Sequence, residues 1–126
     1  MNFNKLIDKA AALVVDEQGW AKHFTFILKK NNVIACGRNS AYKTHPLARK
    51  FNYRFFCIHS ELAAVLNFPF PVAKLRDFDI INIRIRKNGS PGLAKPCNCC
   101  RLMLKSFGVS RVYYSDDNFM LQQYLL

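Results

Sequence analysis

Two short motifs that lie far apart in the chain constrain its fold more than any other feature. The first is His59-Ser60-Glu61, and the second is Pro96-Cys97-Asn98-Cys99-Cys100. A catalytic zinc site takes about three ligands from the protein and keeps the remaining tetrahedral position for water. His59, Cys97 and Cys100 make up that count, so we expect the two motifs to meet at one zinc ion.

Glu61 is one of only two glutamates in the chain and stands two residues after His59. Zinc lowers the pKa of its water from about 15.7 to roughly 7, which provides a nucleophile at neutral pH. Hydrolysis at such a site still requires proton transfer, and a carboxylate can take a proton from the water and deliver it to the substrate. The sequence therefore predicts Glu61 as a general acid and base and not as a ligand.

Both motifs are predicted to stand at the starts of helices. Residues 59–67 combine good helix formers with an apolar set, and Pro96 is a natural residue to precede a helix over 98–107. Cys97 and Cys100 are three residues apart and share a helix face. The positive ends of two helix dipoles would then point at one metal, which favours thiolates and an anionic water.

The same cysteines allow a second interpretation. Cys97, Cys99 and Cys100 could complete a closed structural zinc site with His59, in which Glu61 would have no role. The sequence assigns no role to Cys99.

A disulfide framework is disfavoured. The count of 5 cysteines is odd, no signal peptide is present, and a chain of 126 residues with 51% hydrophobic content can build a core without crosslinks. Cys36 and Cys57 lie inside apolar runs, and we interpret them as small buried hydrophobic residues.

The two motifs, in this order, resemble those of the cytidine deaminase-like superfamily, in the branch with a histidine in the first motif. This branch contains deoxycytidylate deaminases, tRNA adenosine deaminases and polynucleotide deaminases. Small phage-type members are also similar, because a Gly-x-Asn-Ser segment at 37–40 leads into Lys-Thr-His-Pro at 43–46. The resemblance runs from about residue 5 to about residue 117 and implies zinc-dependent hydrolytic deamination of a nucleobase, with cytosine favoured over adenine.

The resemblance also implies contacts with the substrate. Asn39 matches the asparagine that binds the sugar hydroxyl in the family, the alternative being a turn residue after a strand. The backbone N–H of Ser60 would hold the base carbonyl, and the backbone carbonyl of Lys95 would receive the exocyclic amine. Lys95 departs from the small, aromatic or acidic residue usual at its position, which leaves the substrate class open.

The whole chain, residues 1–126, is predicted to form a single α/β domain. Helical spacing from Leu6 to Val14 predicts a first helix, and residues 23–30 and 33–37 predict a hairpin around Asn31-Asn32. The alternation over 78–86 predicts a strand with one buried face. A further strand is predicted at 111–114, and the tail 118–126 fits either a strand or a short helix. This order predicts the three-layer α-β-α arrangement of the superfamily, with a mixed sheet of about five strands.

Charge points to an anionic partner. The formal net charge is +11, from 19 basic and 8 acidic residues. Cations interleaved with aromatic residues suit phosphate neutralisation and base stacking, although a basic surface can also be simply solvated. Between Asn39 and His59, the candidate phosphate or nucleic-acid contacts are Lys43, Arg49, Lys50 and Arg54.

The leading prediction is an enzyme that converts cytosine to uracil in a cytidine or deoxycytidine nucleotide. The first alternative deaminates cytosine or adenine in single-stranded nucleic acid or tRNA, with the base flipped into the same pocket. The second is a catalytically silent zinc module that binds nucleic acid, which would have no need to keep Glu61.

Location and assembly are less constrained by the sequence. No apolar run approaches the roughly 20 residues of a membrane span. The reduced cysteines and the lack of a signal peptide predict the cytoplasm or an equivalent reducing compartment. The oligomeric state stays open, and a homo-oligomer is compatible with the sequence.

Overall fold

The computed structural model describes residues 3–14, 22–39, 45–51, 59–86, 88–118 and 120–126. Their helices are α1 (Phe3–Val14), α2 (Pro46–Lys50), α3 (Ser60–Asn67) and α4 (Asn98–Ser106), with a 3-10 helix at Val72–Asp77. Their strands are β1 (Lys22–Lys29), β2 (Asn32–Arg38), β3 (Asp79–Ile85), β4 (Pro91–Gly92), β5 (Arg111–Ser115) and β6 (Leu121–Leu125).

The strands form one mixed sheet in the order β2-β1-β3-β5-β6, and β4 pairs with the end of β3. Strands β3 and β5 are parallel and are connected through α4, as a parallel pair requires a crossover. The other pairs are antiparallel. The predicted α/β class and mixed sheet are confirmed. The sheet has six strands instead of about five, because β4 adds a short pairing and the tail forms β6.

Strands β1 and β2 form the predicted hairpin, but its turn lies one residue earlier than predicted. Lys29 pairs with Asn32, so the turn consists of Lys30 and Asn31, whose φ angles are 49° and 69°. Two central residues with positive φ form the type I′ turn, whose twist matches that of the flanking strands. Asparagine tolerates this conformation well and signals the turn, whereas the lysine at its first position gives no such signal.

Helices cover both faces of the sheet and create two apolar cores. On one face α1 packs through Leu6 and Ala10. Its partners on the sheet include Phe24, Phe26, Ile81, Ile83 and Ile85. On the opposite face α3 and α4 pack through Leu62, Val65, Met103 and Leu104 against a core that includes Ile27, Ile80 and Val112. The predicted three-layer arrangement is therefore present.

Strand β3 is buried on both faces, and the prediction of a single buried face is wrong. The predicted face of Ile81, Ile83 and Ile85 is buried against the α1 side, but Ile80 and Asn82 on the other face are also buried. A polar residue on a buried face must find hydrogen-bond partners, and Asn82 has several. In β3, the alternation of polar and apolar residues therefore distinguishes two kinds of buried face. It does not distinguish a buried face from an exposed one.

Within the described ranges, no helix is long and apolar enough to cross a membrane.

Helix α3 lies directly against strand β2 at Gly37. A Cβ atom at Gly37 would lie only 2.6 Å from the backbone oxygen of Ser60 and closer still to the backbone nitrogen of Ala64. Only a residue without a side chain permits this approach. Gly37 therefore sets the distance between α3 and the sheet, and with it the position of the first turn of α3.

We expect the substitution Gly37→Ala to lower the free energy of unfolding by about 3 kcal/mol, the upper end for overpacking, because the obstructing atoms belong to backbone that cannot turn aside. Urea unfolding measures this change. The matched control is Gly89→Ala, where a new Cβ meets nothing within 4 Å and only the positive φ of 85° causes strain. Equal losses for both variants would contradict a role for close packing at Gly37.

Candidate metal centre

The N-termini of α3 and α4 converge on one point above the sheet. His59 is the N-cap residue of α3, and Cys97 is the N-cap residue of α4. The Sγ atom of Cys97 accepts a hydrogen bond from the backbone N–H of Cys100 at 3.5 Å. The structure thus brings His59, Cys97 and Cys100 together where the positive ends of two helix dipoles meet.

The three donor atoms have the spacing of a tetrahedral metal site. The Nδ1 atom of His59 lies 3.4 Å from Sγ of Cys97 and 3.6 Å from Sγ of Cys100. All three donors lie within 4.8 Å of one another. Zinc bonds of about 2.3 Å to sulfur and about 2.0 Å to nitrogen, at the tetrahedral angle, place N and S roughly 3.5 Å apart. Zinc would therefore fit between these side chains. Cys99 is not part of the group.

Cys97 is electrostatically prepared for metal binding. The pKa of the Cys97 thiol falls to about 4, chiefly through its hydrogen bond with the Cys100 side chain and also through His59 and the Cys100 backbone N–H, against the opposing effect of burial. The pKa of His59 is raised, first by its hydrogen bond with Cys97, so a metal that binds there displaces a proton from the imidazole. A cysteine must be a thiolate to bind a metal, and Cys97 is one at neutral pH.

Glu61 belongs to a closed ring of four buried side chains, which we call the polar ring. Its Oε1 atom accepts a hydrogen bond from Ser60 Oγ at 3.0 Å, and its Oε2 atom accepts one from Asn82 Nδ2 at 3.2 Å. The hydroxyl of Thr25 lies 2.8 Å from both Ser60 Oγ and Asn82 Oδ1. The exposed fractions are 1% for Thr25, 1% for Ser60, 2% for Asn82 and 7% for Glu61, so protein atoms supply the polar contacts of the ring.

Strands β1 and β3 present a graded surface to α3 and α4. Alternate residues of a strand share a face, so successive cross-strand pairs form a row. The row runs from the apolar pair Ile27 and Ile80, through the polar pair Thr25 and Asn82, to the basic pair His23 and Arg84. The polar ring therefore marks the boundary between the core and the candidate centre.

His23 and Arg84 continue this face beyond the polar ring. The pKa of His23 is lowered, first by burial and then by the positive charges of Arg84 and His59, which shows that His23 lies near the candidate ligand. The Nε atom of Arg84 is buried and has no hydrogen-bond partner in the part of the chain that the structure describes. An unsatisfied buried donor on a cation suits an anionic group of a bound molecule.

The three residues predicted from the sequence to contact substrate lie on three different segments, and their contacts with substrate stay predictions. Asn39 follows β2, and its Oδ1 atom accepts a hydrogen bond from the backbone N–H of His23 at 3.1 Å. Ser60 lies in the polar ring. Lys95 is exposed, with its Nζ atom 5.2 Å from the ring centroid of Tyr124, and Arg101 lies 4.4 Å from the same centroid.

The predicted basic segment between Asn39 and His59 can be placed only at Lys50. This residue ends α2, and its Nζ atom lies 5.7 Å from the ring centroid of Phe51. Lys43 and Arg54 lie outside the described residues, as does the side chain of Arg49. Their predicted contacts with phosphate stay predictions.

Sequence reasoning missed Thr25, Asn82, His23 and Arg84. Their only signal was the placement of polar residues at every second position in two strands. That signal becomes specific to the centre only when the pairing of β1 with β3 is known.

Comparison with known proteins supports the fold. No family model matches the chain, and no curated protein matches its sequence. Among solved structures, cytidine deaminase from Mycobacterium leprae superposes with a TM-score of 0.58 at 13% identity, covering 98% of this chain and 93% of its own. A glutamate-to-glutamine mutant of cytidine deaminase from Mycobacterium tuberculosis gives a TM-score of 0.53 at 16% identity, covering 93% and 87%. The chain therefore has the cytidine deaminase-like fold.

We expect the metal-free protein to contain a thiolate at Cys97 throughout the range from about pH 5 to pH 8, because the pKa of this thiol is about 4 instead of 9.0. Acidification through about pH 4 should remove it. Thiolate absorbance during a pH titration measures the effect, and metal analysis after zinc addition should find about one ion per chain.

The variant Cys97→Ser should lose both the thiolate at low pH and the bound zinc. The matched control is Cys36→Ser, because burial raises the pKa of Cys36 and this residue lies outside the donor group. Zinc retained by Cys97→Ser at full stoichiometry would contradict the proposed ligand set.

Proposed function

We propose that this protein is a zinc-dependent hydrolase that deaminates cytosine to uracil in a cytidine or deoxycytidine nucleotide. One observation carries the proposal: three metal donors with tetrahedral spacing stand beside a buried carboxylate two residues from one of them. The cytidine deaminase-like fold supports the same reaction.

The proposed ligands are His59, Cys97 and Cys100. Zinc bound to them would supply a Lewis acid that lowers the pKa of a water molecule to roughly 7. Two sulfurs and one nitrogen are suitable donors for zinc, and three protein ligands are the number typical of a catalytic site.

Glu61 is proposed to carry the protons of the reaction. It takes a proton from the attacking water and delivers it to the ring nitrogen beside the attacked carbon, and a later transfer lets the amino group leave as ammonia. The carbon gains an oxygen and loses nitrogen, so cytosine becomes uracil with the consumption of one water. By family resemblance, the Ser60 backbone N–H holds the base carbonyl, the Lys95 backbone carbonyl receives the exocyclic amine, and Asn39 binds the sugar.

A phosphate on the substrate would meet the basic end of the graded surface. Arg84 has a buried Nε atom without a hydrogen-bond partner among the described residues, and it pairs across the strands with His23. The polar pair Thr25 and Asn82 lies two residues further along each strand, roughly 7 Å from His23 and Arg84. A cation at this distance from the polar ring suits a phosphate attached to the sugar of a bound nucleotide.

A second candidate function is deamination of a base in single-stranded nucleic acid or tRNA. The observation that favours it is the group of Lys95, Arg101 and Tyr124, in which two cations lie against one aromatic ring. Lys95 is two residues from Cys97, so this group borders the candidate centre. Cations combined with an aromatic side chain suit a polynucleotide strand.

We expect Glu61→Gln to keep the fold and the zinc but to lose at least ~100-fold in the rate of deamination, because general acid and base groups contribute about 10²- to 10⁴-fold. The assay offers cytidine, deoxycytidylate, single-stranded DNA and tRNA in parallel and detects uracil or inosine by mass. As a control, Asp117→Asn changes an exposed carboxylate that pairs with Arg86, and it should leave the rate unchanged. A zinc-loaded wild-type protein that is inactive on all four substrates would refute the proposed function.

We expect Arg84→Ala to raise the KM for deoxycytidylate by roughly tenfold, since a charge-assisted hydrogen bond contributes about 1.5–3 kcal/mol. The KM for cytidine should hardly change. Arg86→Ala is the control, because its guanidinium pairs with Asp117. An equal effect of Arg84→Ala on both substrates would exclude a phosphate contact. A steep salt dependence of binding, near 0.7 per neutralised phosphate, would instead favour a single-stranded polymer.

A further inference from the structure

We infer that Thr25 and Asn82 are positioning residues for Glu61, acting through the polar ring. The inference rests on the proposed role of Glu61 and adds that the direction of its carboxylate is set by two strands as well as by its own helix. Neither residue belongs to the two sequence motifs.

Both carboxylate oxygens are held, and they are held from different sides. Ser60 in α3 donates to Oε1, while Asn82 in β3 donates to Oε2. Rotation of the carboxylate about its last bond would break both hydrogen bonds. Each member of the ring is at most 7% exposed, so water cannot readily replace a broken contact. A buried polar group left without a partner is destabilising, which keeps the carboxylate in one orientation.

Thr25 closes the ring and determines how Asn82 is turned. The Oδ1 atom of Asn82 can only accept, so the hydroxyl 2.8 Å away on Thr25 donates to it. This leaves Nδ2 of Asn82 facing two acceptors, Oε2 of Glu61 at 3.2 Å and the backbone oxygen of Ala94 at 3.4 Å. The reversed amide would place its oxygen against both of these oxygens. Thr25 therefore directs the amide donor of Asn82 toward Glu61.

Asn82 also joins the two motifs. Its amide reaches Glu61 in the first motif and the backbone of Ala94, which lies three residues before Cys97 in the second. Asn82, on a central strand, therefore holds both the Glu61 carboxylate and the segment that leads to the cysteine ligands.

The two hydroxyl groups of the ring have one hydrogen each. The Thr25 hydrogen is directed to Oδ1 of Asn82. Ser60 has two oxygen neighbours, Glu61 Oε1 at 3.0 Å and Thr25 Oγ1 at 2.8 Å, and its hydrogen is directed to Glu61. The contact between the two hydroxyl oxygens therefore has no hydrogen of its own, and Thr25 acts on Glu61 through Asn82.

The first test compares Thr25→Val, which removes the hydroxyl and keeps the shape, with Thr25→Ser, which keeps the hydroxyl. Thr25→Val should lower kcat by roughly tenfold, equivalent to about 1.4 kcal/mol, with little change in KM or zinc content. Thr25→Ser should restore most of kcat. Equal losses for both variants would overturn the inference, because the loss would then follow the altered packing and not the hydroxyl.

The second test is a double-mutant cycle with Glu61→Gln. If Thr25 acts through Glu61, adding Thr25→Val to Glu61→Gln should change the residual rate by much less than roughly tenfold. The same cycle on unfolding midpoints requires no activity, and the two midpoint shifts should not add. Additive shifts in both rate and midpoint would overturn the inference. An inactive wild-type protein with non-additive midpoints would refute the proposed function while supporting the positioning contact.

Discussion

The contact between the backbone of α3 and the backbone of β2 at Gly37 determines where the candidate centre lies. The helix approaches so closely there that a methyl group has no room, and the first turn of α3 stands directly above β1 and β3 as a result. The far end of the helix is also tied to β2, because Nδ2 of Asn67 donates to the backbone oxygen of Cys36 at 2.9 Å. A helix held at both ends presents His59 at its N-terminus in a defined direction. The polar ring then links Glu61, two residues later, to the central strands.

The parts of this arrangement that depend on local sequence were predictable. Helix formers after His59, Pro96 before the cysteines and the apolar spacing of α1 each act within a few residues, and the structure has helices at all three places. The polar ring depends instead on the register between β1 and β3, which joins Thr25 to a residue 57 positions away. No periodicity within either strand contains that information. The basic loop after Asn39 was predicted from composition, and four cations in a sequence do not define where their side chains lie.

In strand β3, a correctly recognised alternation leads to a wrong prediction of which faces are buried. Its alternating isoleucines indicate a buried face, and this face packs against α1. The intervening polar residues suggest solvent, because polar side chains are seldom buried without partners. In this fold the second face is covered by α3 and α4, and Asn82 is buried there because Thr25 and Glu61 satisfy its amide. The misassigned position is therefore the one that donates a hydrogen bond to Glu61, which agrees with the expectation that local rules fail most often at functional sites.

The chemistry of the polar ring supports the proposed catalytic centre over a closed structural one. A structural zinc site needs four protein ligands and gains nothing from a buried carboxylate beside it, whereas burial of Glu61 has a cost that the ring must offset. The two donors to Glu61 are a hydroxyl and an amide, both neutral. These neutral donors, one on α3 and one on β3, fix the direction of the Glu61 side chain, and a fixed direction is what the proposed transfer of protons between water and a base requires.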